Sequence, residues 1–196
     1  MEKFKNVTVF DHPLIKHKIA ILRDEKTGMK EFRELIEEIA TLMTYEAFKD
    51  VPTKKVMVKT PLEETEQTVV VEKSIVLVPV LRAGLGMVNG VHVLFPTAKV
   101  GHIGMFRNEE TLEPQEYYCK LPVDADQRTL IVVDPMLATG ASMELSYRAL
   151  LTKGEPEKIH IASVIASQVA IDYIRERFPL SLIHISEPTR RVVISY

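Results

Sequence analysis

The stretch IVVDPMLATGASMEL, Ile131 to Leu145, decides how the rest of the chain is read. Leu130 to Val133 are apolar and run straight into Asp134 and Pro135. A short, continuously apolar run bounded by turn residues reads as a strand covered on both faces. Pro135 has no N–H to give a ladder, so the strand is expected to stop there. A loop of small and hydroxyl residues follows, and a helix is expected to start near Ser142. In an open parallel sheet, ligands sit beyond the carboxyl ends of the strands. The first N–H groups of a helix lack internal partners, and with the helix dipole they favour an anion, above all phosphate. Thr139 and Ser142 add hydroxyl donors, while Gly140 and Ala141 let the backbone come close. A carboxylate would repel that phosphate, so Asp134 is expected to face sugar hydroxyls or a hydrated cation. An aspartate that caps a turn and a serine that caps a helix explain the same spacing equally well. The pattern is neither GxxxxGK[ST] nor GxGxxG, so spacing alone points to phosphate and no further.

Working outward, SIVLVPV (74–80), KVGHIGM (99–105) and KIHIASVIA (158–166) are further short apolar runs like TLIVVD (129–134). Helix-compatible segments, GMVNGVHVLF, SMELSYRALLTKG and QVAIDYIRERF, lie between most of them. Alternating strand and helix, with strands apolar throughout, predict an α/β fold: a mostly parallel β-sheet flanked by helices. Residues 30–48 carry apolar side chains at helical spacing. KKVMVKT and TVVVE alternate about a polar centre and predict a hairpin or two edge strands. The polar stretch RNEETLEPQEYYCKLPVDADQR is long for a connection and reads as a functional flap or an excursion from the sheet.

The 196 residues suit a single domain. A net charge of -2 gives no global attraction to nucleic acid or an anionic membrane. The lone Cys119 excludes an internal disulfide. The N-terminus has no signal-peptide core and no window is apolar enough to span a bilayer, so a cytoplasmic location is expected. The six histidines show no metal-ligand spacing and are read as structural or exposed.

VVDPMLATGAS resembles the phosphoribosyl-diphosphate (PRPP) loop of the type I phosphoribosyltransferases, in the wording of their uracil branch. VPVLRAGLGM (78–87) is similar to the diphosphate-binding loop of that family, GMFRNEETLEPQEYY (104–118) to its flexible active-site loop, and HPLIKHKIAILRD (12–24) to its N-terminal segment. The four motifs stand in the family's order from about residue 9 to Pro179. The resemblance implies a parallel sheet with a small hood or β-arm, and the reaction of uracil with PRPP to UMP and diphosphate, with Mg2+. It implies that Asp134 holds the ribose hydroxyls. The backbone of Asp134, Pro135, Met136, Leu137, Ala138, Thr139, Gly140, Ala141 and Ser142 would cradle the 5′-phosphate. Arg82, with Ala83 and Gly84, would meet the diphosphate, and Arg107 would close over it. Arg82, Arg107 and Asp134 are thus the catalytic candidates, with no dedicated side-chain metal site. By themselves, Arg82 reads as a surface ion pair and Arg107 as a partner of its acidic neighbours. The family also implies a homodimer or higher homo-oligomer, and leaves a GTP effector open.

The resemblance fails at the end. In the family a glycine-rich GYIVPGLGDAGDR-like segment recognises uracil and helps hold the sugar, whereas LSLIHISEPTRRVVISY (180–196) has nothing similar. LSLIHIS is still able to add an apolar strand to the sheet. Residues 180–196 are therefore either a foreign or misread end or a real divergence, and PRPP binding is better supported than uracil turnover. Ala141 also stands where the uracil branch has a second glycine, and its methyl fits only if the residue avoids positive φ. Two alternatives remain: a PRPP- or UMP-binding regulator of the same fold that acts on RNA, and a transferase for another base.

Overall fold

The computed structural model describes residues 6–71, 75–108 and 114–189. In chain order, a short strand β1 (Val7–Val9) leads to helices α1 (Pro13–Leu22) and α2 (Met29–Ala47), followed by β2 (Thr53–Lys59) and β3 (Glu64–Val70). Next come β4 (Ile75–Leu81), α3 (Leu85–Leu94), β5 (Lys99–Val100), β6 (His102–Arg107) and β7 (Pro114–Lys120). The chain then forms β8 (Thr129–Val133), β9 (Met136–Leu137), α4 (Ala141–Leu151), β10 (Lys158–Ser167), α5 (Gln168–Arg177) and β11 (Leu182–Thr189).

The main sheet runs β1-β11-β10-β8-β4-β6-β7, with β5 added to β4 and β9 to β10. Its pairings are parallel except for β6 with β7. The expected α/β architecture is therefore present. The apolar strands are buried on both faces, as their composition requires. Val76, Val78, Val80, Leu130 and Val132 point to the side covered by α4 and α5. Their neighbours Ile75, Leu77, Ile131 and Val133 point to the side covered by α1, α2 and α3. This period-2 division is what makes a three-layer structure from one sheet. Each such side chain contributes roughly 1.5–3 kcal/mol on burial.

Several elements go beyond the sequence reading. The N-terminal segment forms α1, capped by His12, whose side chain accepts from the Leu14 N–H at 3.2 Å. KVGHIGM breaks into β5 and β6 around Gly101. LSLIHIS joins the sheet as part of β11, between β1 and β10, with Ile183 and Ile185 fully buried.

Two hairpins leave the body from opposite edges. β2 and β3 pair only with each other and are exposed along most of their length. They enter through Pro52 and return to Ile75 at the start of β4, at the amino ends of the parallel strands. β6 and β7 instead carry the chain past the carboxyl end of β4, where Leu81 pairs with Gly104 and the hairpin continues to Arg107. Within the long polar stretch, Pro114–Lys120 is thus β7, the last strand of the main sheet, while residues 109–113 lie outside the described residues and the β2–β3 arm belongs to the amino side.

Candidate functional site

β4 and β8 are neighbours, yet the chain leaves them in opposite senses. From β4 it passes through α3 to β6 on one side, and from β8 through α4 to β10 on the other. Because α3 and α4 cover opposite faces, the connections after β4 and β8 depart to opposite sides of the sheet. Such a switch point is where open α/β sheets bind ligands. Both sequence-flagged loops begin there.

Gly84 brings them together. A Cβ on this residue would lie 2.4 Å from the Val133 carbonyl oxygen and 2.7 Å from the Val80 nitrogen. The close approach it permits is therefore to the ends of β8 and β4 themselves. The Leu81–Arg82 peptide is cis, and Arg82 and Ala83 are exposed beyond it. The turn then tightens: Leu85 N–H donates to Arg82 O at 3.2 Å, Gly86 to Ala83 O at 3.3 Å and Met87 to Gly84 O at 3.1 Å. These bonds occupy the donors at the start of α3. An anion at this loop must be met chiefly by the Arg82 side chain and the backbone just ahead of the turn.

The β8 loop is built differently. Asp134 N–H still donates to Ala162 O at 3.2 Å, and Ile165 N–H donates to Pro135 O at 3.1 Å. Pro135 lacks a donor but keeps its acceptor, so the chain does not leave the sheet there as expected. It stays paired with β10 through Met136 and Leu137. The Met136 N–H turns back to the Asp134 carboxylate at 3.3 Å. The part of the expected cradle open to a ligand is consequently Ala138 to Ser142. Gly140 caps α4 at φ 86°, a left-handed conformation that favours glycine. Ala141 is already the first helical residue, so its methyl sits without strain. The first bond down the helix is Glu144 N–H to Gly140 O at 2.8 Å. The amides of Ala141, Ser142 and Met143 precede it and have no carbonyl one turn back within the helix.

Asp134 follows the last residue of β8 and is partly buried there. Burial pushes its carboxyl up to about 6, against a smaller lowering by the Met136 N–H. No positive side chain among the described residues contributes to holding it charged. A carboxylate so placed gains from donors supplied by a ligand, such as sugar hydroxyls or the waters of a hydrated cation.

The geometry agrees with the family the motifs resemble, and the comparisons decide the matter. Residues 9–187 match the sequence profile of the family described as uracil phosphoribosyltransferase. The chain is 52% identical over 176 residues to the uracil phosphoribosyltransferase of Thermoanaerobacter sp. strain X514, covering 90% of this chain and 83% of that one. The chain belongs to the uracil phosphoribosyltransferase family. Among solved structures, the AQ2163 protein of Aquifex aeolicus superposes with a TM-score of 0.88 at 35% identity, covering 93% of this chain and 86% of that one. A hypoxanthine-guanine phosphoribosyltransferase of Bacillus anthracis shares the fold alone, with a TM-score of 0.52 at 12% identity over 80% of this chain and 78% of its own.

Against that family pattern, the structure places Arg82, Ala83, Gly84 and the 134–142 loop at the adjacent carboxyl ends of β4 and β8. Arg107 ends β6 on the same side of the sheet, paired through its backbone with Pro114. Its side chain and residues 109–113 of the expected active-site loop lie outside the described residues. Of the basic residues in the N-terminal segment, Lys16 pairs with Asp11, Lys18 with Glu38 at 2.5 Å and Arg23 with Glu187 at 3.1 Å. His160 and His184 stack at the other end of the strands, and burial lowers them to about 4 and about 3. They are structural, as read from the sequence. Among the described residues no three His, Cys, Asp or Glu side chains converge as a metal site. No helix among the described residues is long and apolar enough to cross a membrane.

Sequence reasoning missed the residues behind the phosphate loop. Ser167 caps α5, accepting from the Ala170 N–H at 3.0 Å while donating to the Ala138 carbonyl. The Tyr173 ring packs on Gly140, where an added Cβ would lie 3.0 Å from Cδ1. A serine ahead of QVAID is legible as a helix cap. Its second partner, distant in sequence, is not.

Proposed function

We propose that the chain binds PRPP at the carboxyl ends of β4 and β8 and is built to transfer its phosphoribosyl group to uracil, giving UMP and diphosphate. The observation that carries this reading is the contact of Gly84 with the end of β8. It joins a loop presenting a guanidinium to a loop presenting the first amides of α4, of which Ala141 N–H is turned to the Thr139 hydroxyl at 3.5 Å. Those are the two ends of one substrate. The amides and hydroxyls of Thr139 to Ser142 hold the 5′-phosphate at the positive end of α4. Asp134 accepts from the ribose hydroxyls. Arg82 makes forked bonds to the diphosphate, and Arg107 closes over it from the β6–β7 hairpin.

Cleavage at the anomeric carbon leaves an oxocarbenium-like sugar and a highly charged leaving group. Donors fixed in advance where charge gathers lower that barrier, and losing one such donor typically costs about a hundred- to a thousandfold in rate. The lone carboxylate of Asp134 suits a hydrated cation carried mostly by the substrate's own oxygens. Magnesium bound that way would neutralise part of the diphosphate charge.

Residues 180–189 extend the sheet, and nothing in 180–196 resembles the family's glycine-rich uracil segment. PRPP binding is therefore proposed to be intact and uracil turnover weak. A homo-oligomer is proposed from the family resemblance, with the exposed β2–β3 arm in support; a cytoplasmic location is proposed from the sequence, and a GTP effector is left open. The test is titration calorimetry with magnesium PRPP, followed by a steady-state UMP assay. Binding with little turnover is expected. Absence of PRPP binding by folded protein sinks the proposal, and turnover at rates typical of the family refutes the impairment.

A further inference from the structure

We propose that α5 acts as a clasp on the phosphate loop, with Ser167, Tyr173 and Arg177 as positioning residues for the sugar phosphate. The inference deepens the function proposed above and rests on it. Three contacts carry it, and they converge on the segment from Ala138 to Glu144.

The first is the Ser167 hydroxyl. It is almost fully buried and placed between two backbones. Its oxygen accepts from the Ala170 N–H, so its single proton is given to the Ala138 carbonyl. A trans peptide is planar, with its N–H opposite its C=O. Anchoring the Ala138 carbonyl to α5 therefore aims the Thr139 N–H away from α5. Ser167 sets the direction of the first donor in the cradle without touching the ligand.

The second is the Tyr173 ring, which packs on the face of Gly140 where a side chain would otherwise stand. It backs the one left-handed residue of the loop. The same tyrosine donates its hydroxyl to Glu144 in the first turn of α4. One side chain thus holds the loop's hinge and the helix that follows it.

The third concerns charge. Glu144 sits at the end of α4 where a phosphate is expected, and an unanswered carboxylate there would repel it. Arg148 bonds it at 2.9 Å and Arg177 reaches it at 3.4 Å. Arg177 also lies 3.7 Å over the Tyr173 ring, which fixes its guanidinium. Two cations and a phenol therefore answer one carboxylate, and the amides keep their positive potential.

A purely structural role predicts that loosening α5 harms every ligand alike. A clasp on residues 138–144 predicts a loss confined to the phosphate end. Ser167→Ala, Ser167→Thr, Tyr173→Phe and Arg177→Gln would each be titrated with ribose 5-phosphate and, separately, with magnesium diphosphate. Ser167→Ala is expected to weaken ribose 5-phosphate about tenfold and to leave diphosphate within about twofold. Ser167→Thr restores most of the loss, since threonine caps and donates as serine does. Tyr173→Phe keeps the ring on Gly140 and weakens ribose 5-phosphate about threefold. Arg177→Gln has a similar effect at low salt, fading as ionic strength rises. Hydrogen exchange on ligand-free protein supplies the independent readout: amides 138–142 should open about tenfold faster in Ser167→Ala. Equal losses for both ligands, or unchanged exchange at those amides, overturn the clasp. If wild-type protein ignores ribose 5-phosphate while exchange still responds to Ser167→Ala, the clasp stands and the phosphate reading falls.

Discussion

β8 and the first half of β11 fill similar places and lead to different consequences. TLIVV of β8 and LIHIS of β11 both lie inside the sheet with β-branched apolar side chains buried on its two faces. After β8 the chain delivers Asp134, a left-handed glycine and the amino end of a helix. After the apolar part of β11, Glu187 to Thr189 simply go on pairing with Ile165 to Ser167 of β10. A slot in a sheet asks only for a pattern, and LIHIS meets it. A site that reads a base by its backbone asks for glycines, and no glycine follows Gly154. The similarity to the family runs to residue 187, beyond the Pro179 at which the family's motifs end. Occupying a family's strand position and supplying its chemistry are separate achievements.

The strongest challenge to that contrast is to exchange the end. A chimera in which residues 180–196 are replaced by a family end bearing the glycine-rich segment should gain about a thousandfold or more in UMP formation, several donors being restored at once. Its affinity for magnesium PRPP should change by less than about threefold, because the loops after β4 and β8 are untouched. Steady-state rates and calorimetry on the pair would show it. Equal turnover in both proteins would mean that the present end already serves the base.

The complementary change tests β11 as scaffold. Ile183 is fully buried against the α5 side of the sheet. Ile183→Ala should cost about 3 kcal/mol through lost burial and the cavity left behind, read from urea unfolding. PRPP affinity of the folded fraction should not move. A matching loss of affinity would show that β11 shapes the site after all.

What was legible beforehand divides along the same line. The buried strands and their helices were readable because an apolar run between turn residues has few other uses, and TLIVVD, SIVLVPV and KIHIASVIA all became strands where they were expected. The motifs flagged the loops after β4 and β8, and Gly84 brings those two loops together. The return of Met136 and Leu137 to the sheet was not, because it depends on β10 offering Ile165 across the Pro135 carbonyl. The edge from which the β-arm leaves also depends on tertiary placement, which hairpin alternation does not encode. Ser167 and Tyr173 stayed hidden for the same reason, their partners being distant in sequence.

Asp134 separates the needs of binding from those of stability. Its carboxyl is raised to about 6 by burial, whereas in an unfolded chain it titrates near 4. A raised acid favours folding fully below the unfolded value and loses that contribution as pH climbs through the folded one. Asp134→Asn, which cannot ionise, should therefore be more stable than wild type at pH 7, by of order 2 kcal/mol at this partly buried position. The gain should vanish by pH 4. PRPP affinity should fall in the same variant, since an amide accepts hydroxyl bonds less strongly than a carboxylate. Unfolding curves at the two pH values and one titration would settle both halves, and a destabilised Asn variant at pH 7 would contradict the first.

The smallest effect belongs to Ala141, the other departure from the family wording in this loop. At a position needing positive φ, its methyl would be a defect and glycine would repair it. Here it opens α4 in helical conformation, directly after Gly140 has taken the left-handed turn. Ala141→Gly should therefore cost up to about 1 kcal/mol by adding backbone freedom to the unfolded chain. PRPP affinity should stay within about twofold, since the amide is presented either way. Thermal unfolding and one titration suffice, and tighter binding in the glycine variant would show that the methyl crowds the phosphate. The contrast with the end of the chain is one of scale: a single methyl at a helix start leaves backbone donors where they were, whereas the weak turnover proposed above rests on a whole run of glycines that the family has and residues 180–196 do not.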